Sequence, residues 1–183
     1  MIAYITVGAD DIARAKRFYS AFLPALGYDL SEGPEGLGYA LPVESAQRPV
    51  YPDFYVKPTF DGQSASAGNG VMVAFEASNQ RQVRTLHSAA LAAGGLDEGQ
   101  PGFREAYEAH FYVSYLRDPQ GNKLALFSND PEEPGRGAPL NGHVKSGALA
   151  QGQSCGPYDF LCRDPQNTTC YKSENGSNYN HGY

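Results

Sequence analysis

A strand, a helix cap, a helix face and a helix stop occur twice in this chain at a constant spacing of 68 residues, and that repeat limits the possible folds most sharply. In the first copy the run Tyr4-Ile5-Thr6-Val7 precedes Asp11 as N-cap. Apolar residues follow at Ile12, Ala15, Phe18, Tyr19, Phe22, Leu23 and Leu26, and Gly27 is the stop. In the second copy Met72-Val73-Ala74-Phe75 precedes Asn79 as N-cap, then Val83, Leu86, Ala90 and Leu91, then Gly94-Gly95. An Asp or Asn carboxyl or amide oxygen accepts an unpaired N–H of the first helical turn. Glycine accepts the left-handed backbone that ends a helix, and apolar residues three and four apart give the helix one buried face. Recurrence of all these signals at one offset marks a single supersecondary unit used twice.

After each helix come short β-like runs, at 28–30, 37–41 and 53–57 in the first half and at 111–116 and 123–127 in the second, separated by Gly, Pro and acidic residues. Each half therefore reads βαβββ, an α+β unit. Two such modules can join their sheets into one curved mixed sheet, with helices on the convex face and an open concave pocket near the pseudo-twofold axis. Strand alternation directs Ile5, Val7, Val73, Phe75, Leu124 and Leu126 toward the helices. It turns Tyr4, Thr6, Met72, Ala74, Lys123, Ala125 and Phe127 toward the pocket.

Clear periodicity ends near Asp130, so residues 1–130 form the expected domain. Residues 131–183 are rich in Gly, Pro, Ser and Asn and are expected to stay disordered, because they bury too little apolar surface to offset the entropy of ordering. Cys155, Cys162 and Cys170 all fall in that tail, at a spacing that fits no zinc template, and an odd count leaves one thiol over if a disulfide forms.

At 183 residues with 41% hydrophobic content, the chain suits one domain with a substantial core. No apolar run approaches the roughly 18 residues that span a bilayer, and the N-terminus enters a strand with no leader-like pattern, so a cytoplasmic protein without a membrane partner is expected. Net charge is −6 with no Lys/Arg stripe, which argues against a nucleic-acid partner.

Three stretches, YITVGADDIARAKRFYSAFLPALGY, GNGVMVAFEASNQRQVRTLHSAALAAGG and YLRDPQGNKLALF, together cover much of residues 1–130. In this order they resemble the vicinal oxygen chelate superfamily of glyoxalase I, bleomycin-resistance proteins and extradiol dioxygenases. In metal-dependent members of that superfamily, the ion is held by His or a carboxylate on the first strand of each module and by further carboxylate or Tyr groups, including a Glu on the strand after the DPxGN turn. Carried onto this chain, those positions are Tyr4, Met72 and Ala125. A catalytic divalent metal needs about three N, O or S ligands and an open position. Met offers a soft thioether and Ala offers nothing, so no metal cofactor is expected. Asp53, which could occupy a fourth family position, does not make a site alone.

Other candidates carry polar chemistry. His110 ends the loop GFREAYEAH and has an imidazole suited to acid–base work near neutral pH; Tyr4 is a second acid–base candidate. Arg104 in the same loop could clamp a carboxylate or phosphate, against the bland reading of a solvated surface cation. Tyr4 and Tyr55 would form an aromatic wall with hydroxyl handles, and Thr6, Tyr39, Met72, Tyr112, Ser114, Ala125 and Phe127 complete the expected ligand-binding set. The run Phe111-Tyr112-Val113-Ser114-Tyr115 has apolar or aromatic residues in both registers, so alternation does not fix which way Tyr112 and Tyr115 face. Lys57 is expected to snorkel to the rim. His87, which matches Tyr19 in the repeat, is expected to be a half-covered flank residue.

Two functions follow as expectations. The resemblance implies a glyoxalase-like protein that binds a small organic molecule in a metal-free pocket, by sequestration as bleomycin-resistance members do, or by acid–base chemistry of lyase or isomerase type. The alternative is a metal-dependent lactoylglutathione lyase or extradiol-type dioxygenase with an atypical ligand set. The resemblance also suggests a homodimer. Residues 1–130 carry ten Lys and Arg against fifteen Asp and Glu, a surface that would draw a cationic ligand.

Overall fold

The computed structural model describes residues 2–42 and 52–138. The first module runs β1 (Tyr4–Gly8), α1 (Ile12–Tyr19), a 3₁₀ turn (Leu23–Leu26), β2 (Asp29–Gly33), β3 (Gly36–Ala40) and β4 (Asp53–Lys57). The second runs β5 (Val73–Glu76), α2 (Gln80–Ala92), β6 (Leu96–Phe103), β7 (Tyr112–Arg117) and β8 (Lys123–Ser128). Each module makes a four-stranded mixed sheet, ordered β1-β4-β3-β2 in the first and β5-β8-β7-β6 in the second. In each, the first strand pairs in parallel with the last and the other pairings are antiparallel. The repeat in sequence is thus a repeat in topology, and the two-module α+β architecture is the one the spacing predicts.

Both helix caps form as expected: Asp11 accepts from the Arg14 N–H at 2.8 Å and Asn79 from the Gln82 N–H at 2.8 Å. Gly27 and Gly94 take the left-handed conformation, φ 90° and 101°. The first helix is shorter than its apolar pattern suggested. It stops at Tyr19 and Phe22, Leu23 and Leu26 are delivered by the 3₁₀ turn, because Pro24 has no N–H to continue an α-helical ladder.

β6 has no counterpart among the strands read from sequence. Its residues, LDEGQPGF, lack alternation and include Pro101, which an edge strand tolerates. The strand pairs with β7 through register shifts between Asp97, Gly99 and Gly102, so a simple two-residue period never develops. Residues 102 and 103, read as the start of a loop, belong to it.

One core spans both modules. Phe75 from β5 packs its ring 5.2 Å from Phe54, 5.8 Å from Phe22 and 6.1 Å from Tyr28, all of the first module. Phe18, Tyr19, Phe22, Phe54 and Leu124 are fully buried around them or against the second sheet. Burying each such side chain stabilises by about 1.5–3 kcal/mol, so the modules are joined by their apolar faces.

The DPQGN turn adds a polar lock. Asp118 is 1% exposed. Its carboxylate accepts the N–H groups of Gln120 and Asn122 within its own turn, at 2.9 and 2.8 Å. It also accepts the Tyr19 hydroxyl, at 2.7 Å, from the first helix. Asn122 donates to the Gly8 carbonyl at 3.0 Å, and Gln120 bridges the Asp10 N–H and the Ala65 carbonyl. The hairpin of the second module is therefore pinned to the first strand, first helix and linker of the other.

Contacts continue past Asp130: Glu133 accepts the Gln80 N–H at the start of α2, and Arg136 donates its N–H to the Ala109 carbonyl. The three cysteines and residues 139–183 lie outside the described residues, as does the expectation made for them. His87 is not a half-covered flank: it is 3% exposed beneath β6, with Nε2 3.2 Å from Asp97 Oδ1.

Candidate functional site

The faces of the two sheets turned away from the helices are built in matching rows. In the first sheet Thr6, Tyr55, Gly38 and Ser31 lie side by side; in the second, Ala74, Ala125, Tyr115 and Gly99 do. Tyr55 therefore holds in the first module the place that Ala125 holds in the second. Gly38 leaves room for its ring, since a Cβ there would lie 3.1 Å from Tyr55.

Tyr4 and Tyr55 meet as the sequence suggested, edge to face with centroids 5.8 Å apart. Tyr4 is 63% exposed and Met72 45%, and Thr6 is also exposed, so these three are open to a ligand. The Tyr55 hydroxyl donates to Asp53 at 3.1 Å, and that bond to a carboxylate raises its pKa. Lys57 lies 5.4 Å from the Tyr55 ring centre and pairs with Glu35 at 3.0 Å, which holds it toward the rim.

Three of the expected ligand-binding residues are on the other side. Tyr39 is fully buried between Tyr19 and Phe54, with its hydroxyl 3.1 Å from Ser20 Oγ. Burial raises its pKa. Tyr112 and Ser114 share the parity of Leu116 and face α2; Arg84 donates to the Tyr112 hydroxyl at 3.3 Å, and Ser114 is completely buried. The ambiguous strand resolves this way because Val113 and Tyr115 take the opposite face.

Ala125 does face away from the helices, but it is 2% exposed. The loop after β6 returns across this face: Tyr107 reaches the Tyr115 hydroxyl at 3.2 Å, and Phe111 stacks on Phe127 at 5.1 Å. Ala125 pairs across the ladder with Tyr115 and lies two residues before Phe127; it is buried while those two stay partly exposed. His110 is engaged elsewhere, with Nδ1 3.1 Å from the Glu133 carbonyl in the segment after β8. The structure does not bring it to Tyr4.

Arg104 folds back over this face. Its guanidinium lies 5.4 Å from the Tyr115 ring centre and donates to the carbonyls of Gln100 and Phe103, at 2.9 and 3.2 Å. Lys123 lies 5.6 Å from the same ring. Tyr115 is a strand tyrosine whose facing alternation leaves open, and the register sets it opposite Ala125; Tyr107 carries no signal in the sequence, because its partner is known only from the fold. Burial, then the bond to Tyr107, drives the Tyr115 hydroxyl well above the ordinary tyrosine pKa.

Where the modules meet, a cavity of about 150 Å³ is lined by Ile5, Asp53 and Phe54 from one and by Phe75, Glu76 and Phe127 from the other. A more open groove of about 570 Å³ shares Tyr28, Phe75 and Glu76 with it and extends to Gln82 and Asp130. Asp53 and Glu76 are the carboxylates on the seam cavity. Among the described residues no group of three His, Cys, Asp or Glu side chains could share a metal ion. Nor, among those residues, is any helix long and apolar enough to cross a membrane.

No family sequence model and no curated protein matches the chain. Solved structures do. A glyoxalase/bleomycin resistance protein from Albidiferax ferrireducens T118 is 32% identical, with a TM-score of 0.61 over 71% of this chain and 99% of that one. A glyoxalase-related enzyme from Fulvimarina pelagi is 20% identical, with a TM-score of 0.55 over 70% of this chain and 88% of that one. A glyoxalase/bleomycin resistance protein/dioxygenase family enzyme from Burkholderia phytofirmans PsJN is 17% identical, with a TM-score of 0.52 over 70% and 98%. The last two share the fold; the first, matched along nearly its whole length, shares the family. The duplicated βαβββ module, its sheet order and this match together show that the chain belongs to the vicinal oxygen chelate superfamily, among the glyoxalase/bleomycin resistance proteins.

Proposed function

We propose that this protein binds a small organic molecule without a metal on the helix-free side of its sheets, where Tyr4, Thr6 and Met72 are exposed, either sequestering it or turning it over by acid–base chemistry. The observation that carries this reading is the residue set at the positions where metal-using relatives hold their ion. Tyr4 is an exposed aromatic packed on Tyr55, Met72 is an exposed thioether, and Ala125 is a buried methyl. The exposed Tyr4 and Met72 suit a planar or apolar ligand with a few polar groups.

If the protein is an enzyme, its chemistry is of lyase or isomerase type. Tyr4 and the Asp53–Tyr55 pair are then the proton-handling groups on the face, since His110 is held by Glu133. The second reading, a metal-dependent lactoylglutathione lyase or extradiol dioxygenase, is favoured by the two carboxylates on the seam cavity, Asp53 and Glu76, which would have to replace the usual ligands.

The test is thermal unfolding of the full chain with a panel of small aromatic acids, aromatic amines and neutral aromatics in the presence of a chelator. A ligand at 100 times its Kd adds about 2.7 kcal/mol and raises Tm measurably. A saturable rise with any class supports the proposal. Rises that appear only when the chelator is replaced by a divalent metal favour the second reading.

A further inference from the structure

We infer that Arg104, with the hydrogen-bonded hydroxyls of Tyr107 and Tyr115, forms an oxyanion-binding subsite where the loop after β6 crosses the helix-free face of the second sheet, for a carboxylate or phosphate group of the ligand. This rests on the reading of that face as the ligand surface and adds the chemical class that one end of it would accept.

The guanidinium is held in place before any ligand arrives. Two of its donors are used on the carbonyls of Gln100 and Phe103, and its plane is carried over the Tyr115 ring. Among the described residues no carboxylate pairs with it. Arginine has five N–H donors in a rigid fork that matches carboxylate and phosphate geometry, so donors remain for an anion.

β6 is shaped around this side chain. A Cβ at Gly99 would lie 2.9 Å from the Tyr115 ring and 3.3 Å from one guanidinium nitrogen, and a Cβ at Gly102 would lie 3.2 Å from the other. These glycines fall at the register shifts of the strand. The irregularity that hid β6 from a sequence reading is what turns Arg104 back across the sheet, the re-aiming role that bulges serve.

The hydroxyls add a directed donor. Tyr115 gives its proton to the Tyr107 oxygen at 3.2 Å, which leaves the Tyr107 proton to point outward, and Tyr107 is 39% exposed. A tyrosine hydroxyl is protonated at neutral pH, and burial raises the Tyr115 pKa further, so the relay stays a donor into the alkaline range. Arg117 and Lys123 share Glu98, and Lys123 also lies on the Tyr115 ring. An oxyanion seated here would take charge-assisted bonds from Arg104 and one from Tyr107.

The experiment titrates the full chain with inorganic phosphate, benzoate and neutral benzamide at fixed ionic strength, following Tm and heat. Wild type is compared with Arg104→Met and Tyr107→Phe. Saturable binding of phosphate or benzoate is expected, weakened about tenfold or more in Arg104→Met and about threefold in Tyr107→Phe. Both variants should keep the wild-type circular dichroism. The stronger of the two anions assigns the group as phosphoryl or carboxylate. Equal anion binding in wild type and both variants, or no saturable anion binding in wild type, overturns the subsite. Benzamide separates this from the broader reading: if it binds all three proteins equally while the anions fail, only the subsite falls. If phosphate binds but no organic probe does, the subsite stands and the ligand-face reading falls.

Discussion

Tyr19 and Asp118 are 99 residues apart, both buried, and joined by a 2.7 Å hydrogen bond that ties the first helix to the turn before β8. The bond explains why the DPQGN hairpin is built so completely: its Asp holds the turn together with Oδ1 and holds the other module with Oδ2. Tyr19→Phe should cost about 1.5–3 kcal/mol, the range for a hydrogen bond to a charged group. Asp118→Ala should cost more, because it also strands the Tyr19 hydroxyl and two turn N–H groups. Denaturant unfolding measures both; a Tyr19→Phe protein as stable as wild type would contradict the role.

The same pair sets a pH dependence. Burial first, and then the neighbouring Asp118, raise the Tyr19 pKa well above its ordinary value. The folded protein therefore holds that proton where the unfolded chain has released it. Stability from this group is complete below the unfolded tyrosine value of about 10 and is lost as pH rises above it. Chemical denaturation at rising alkaline pH should show a steeper loss in wild type than in Tyr19→Phe, and parallel slopes would exclude the assignment.

Gly95 lies between α2 and β6, tight against both modules. A Cβ there would fall 2.7 Å from the Phe18 ring and 3.0 and 3.2 Å from the carbonyl oxygens of Ala90 and Arg117. Backbone cannot yield as a side chain can, so Gly95→Ala should destabilise by about 1–3 kcal/mol. Unchanged thermal stability would mean the modules pack less closely than described.

On the proposed ligand face, Tyr4→Ala should weaken binding of an aromatic probe by about three- to tenfold. Global stability should hardly change, because the ring is 63% exposed. Loss of fold instead of affinity would make Tyr4 structural.

The first strand, both caps and the helix faces were legible because each signal is local: Asp11 and Asn79 cap within three residues, and apolar spacing declares its own face. What escaped depends on partners distant in sequence. β6 pairs through bulges, so its residues carry no period. Tyr112 and Tyr115 could not be oriented until Leu116 was seen to face α2, because their strand is apolar or aromatic in both registers. Parity placed Ala125 on the correct face, but nothing local revealed that Tyr107 and Phe111 return over that face. The Arg104 cradle was invisible for the same reason, since Gly99 and Gly102 acquire meaning only beside Tyr115.

Elemental analysis of the purified full chain decides whether this face works without a metal. Nickel, zinc, iron and manganese should each be far below one atom per chain, with organic-ligand binding unchanged by a chelator. One stoichiometric equivalent of any of them, lost together with binding on chelation, would contradict metal-free binding.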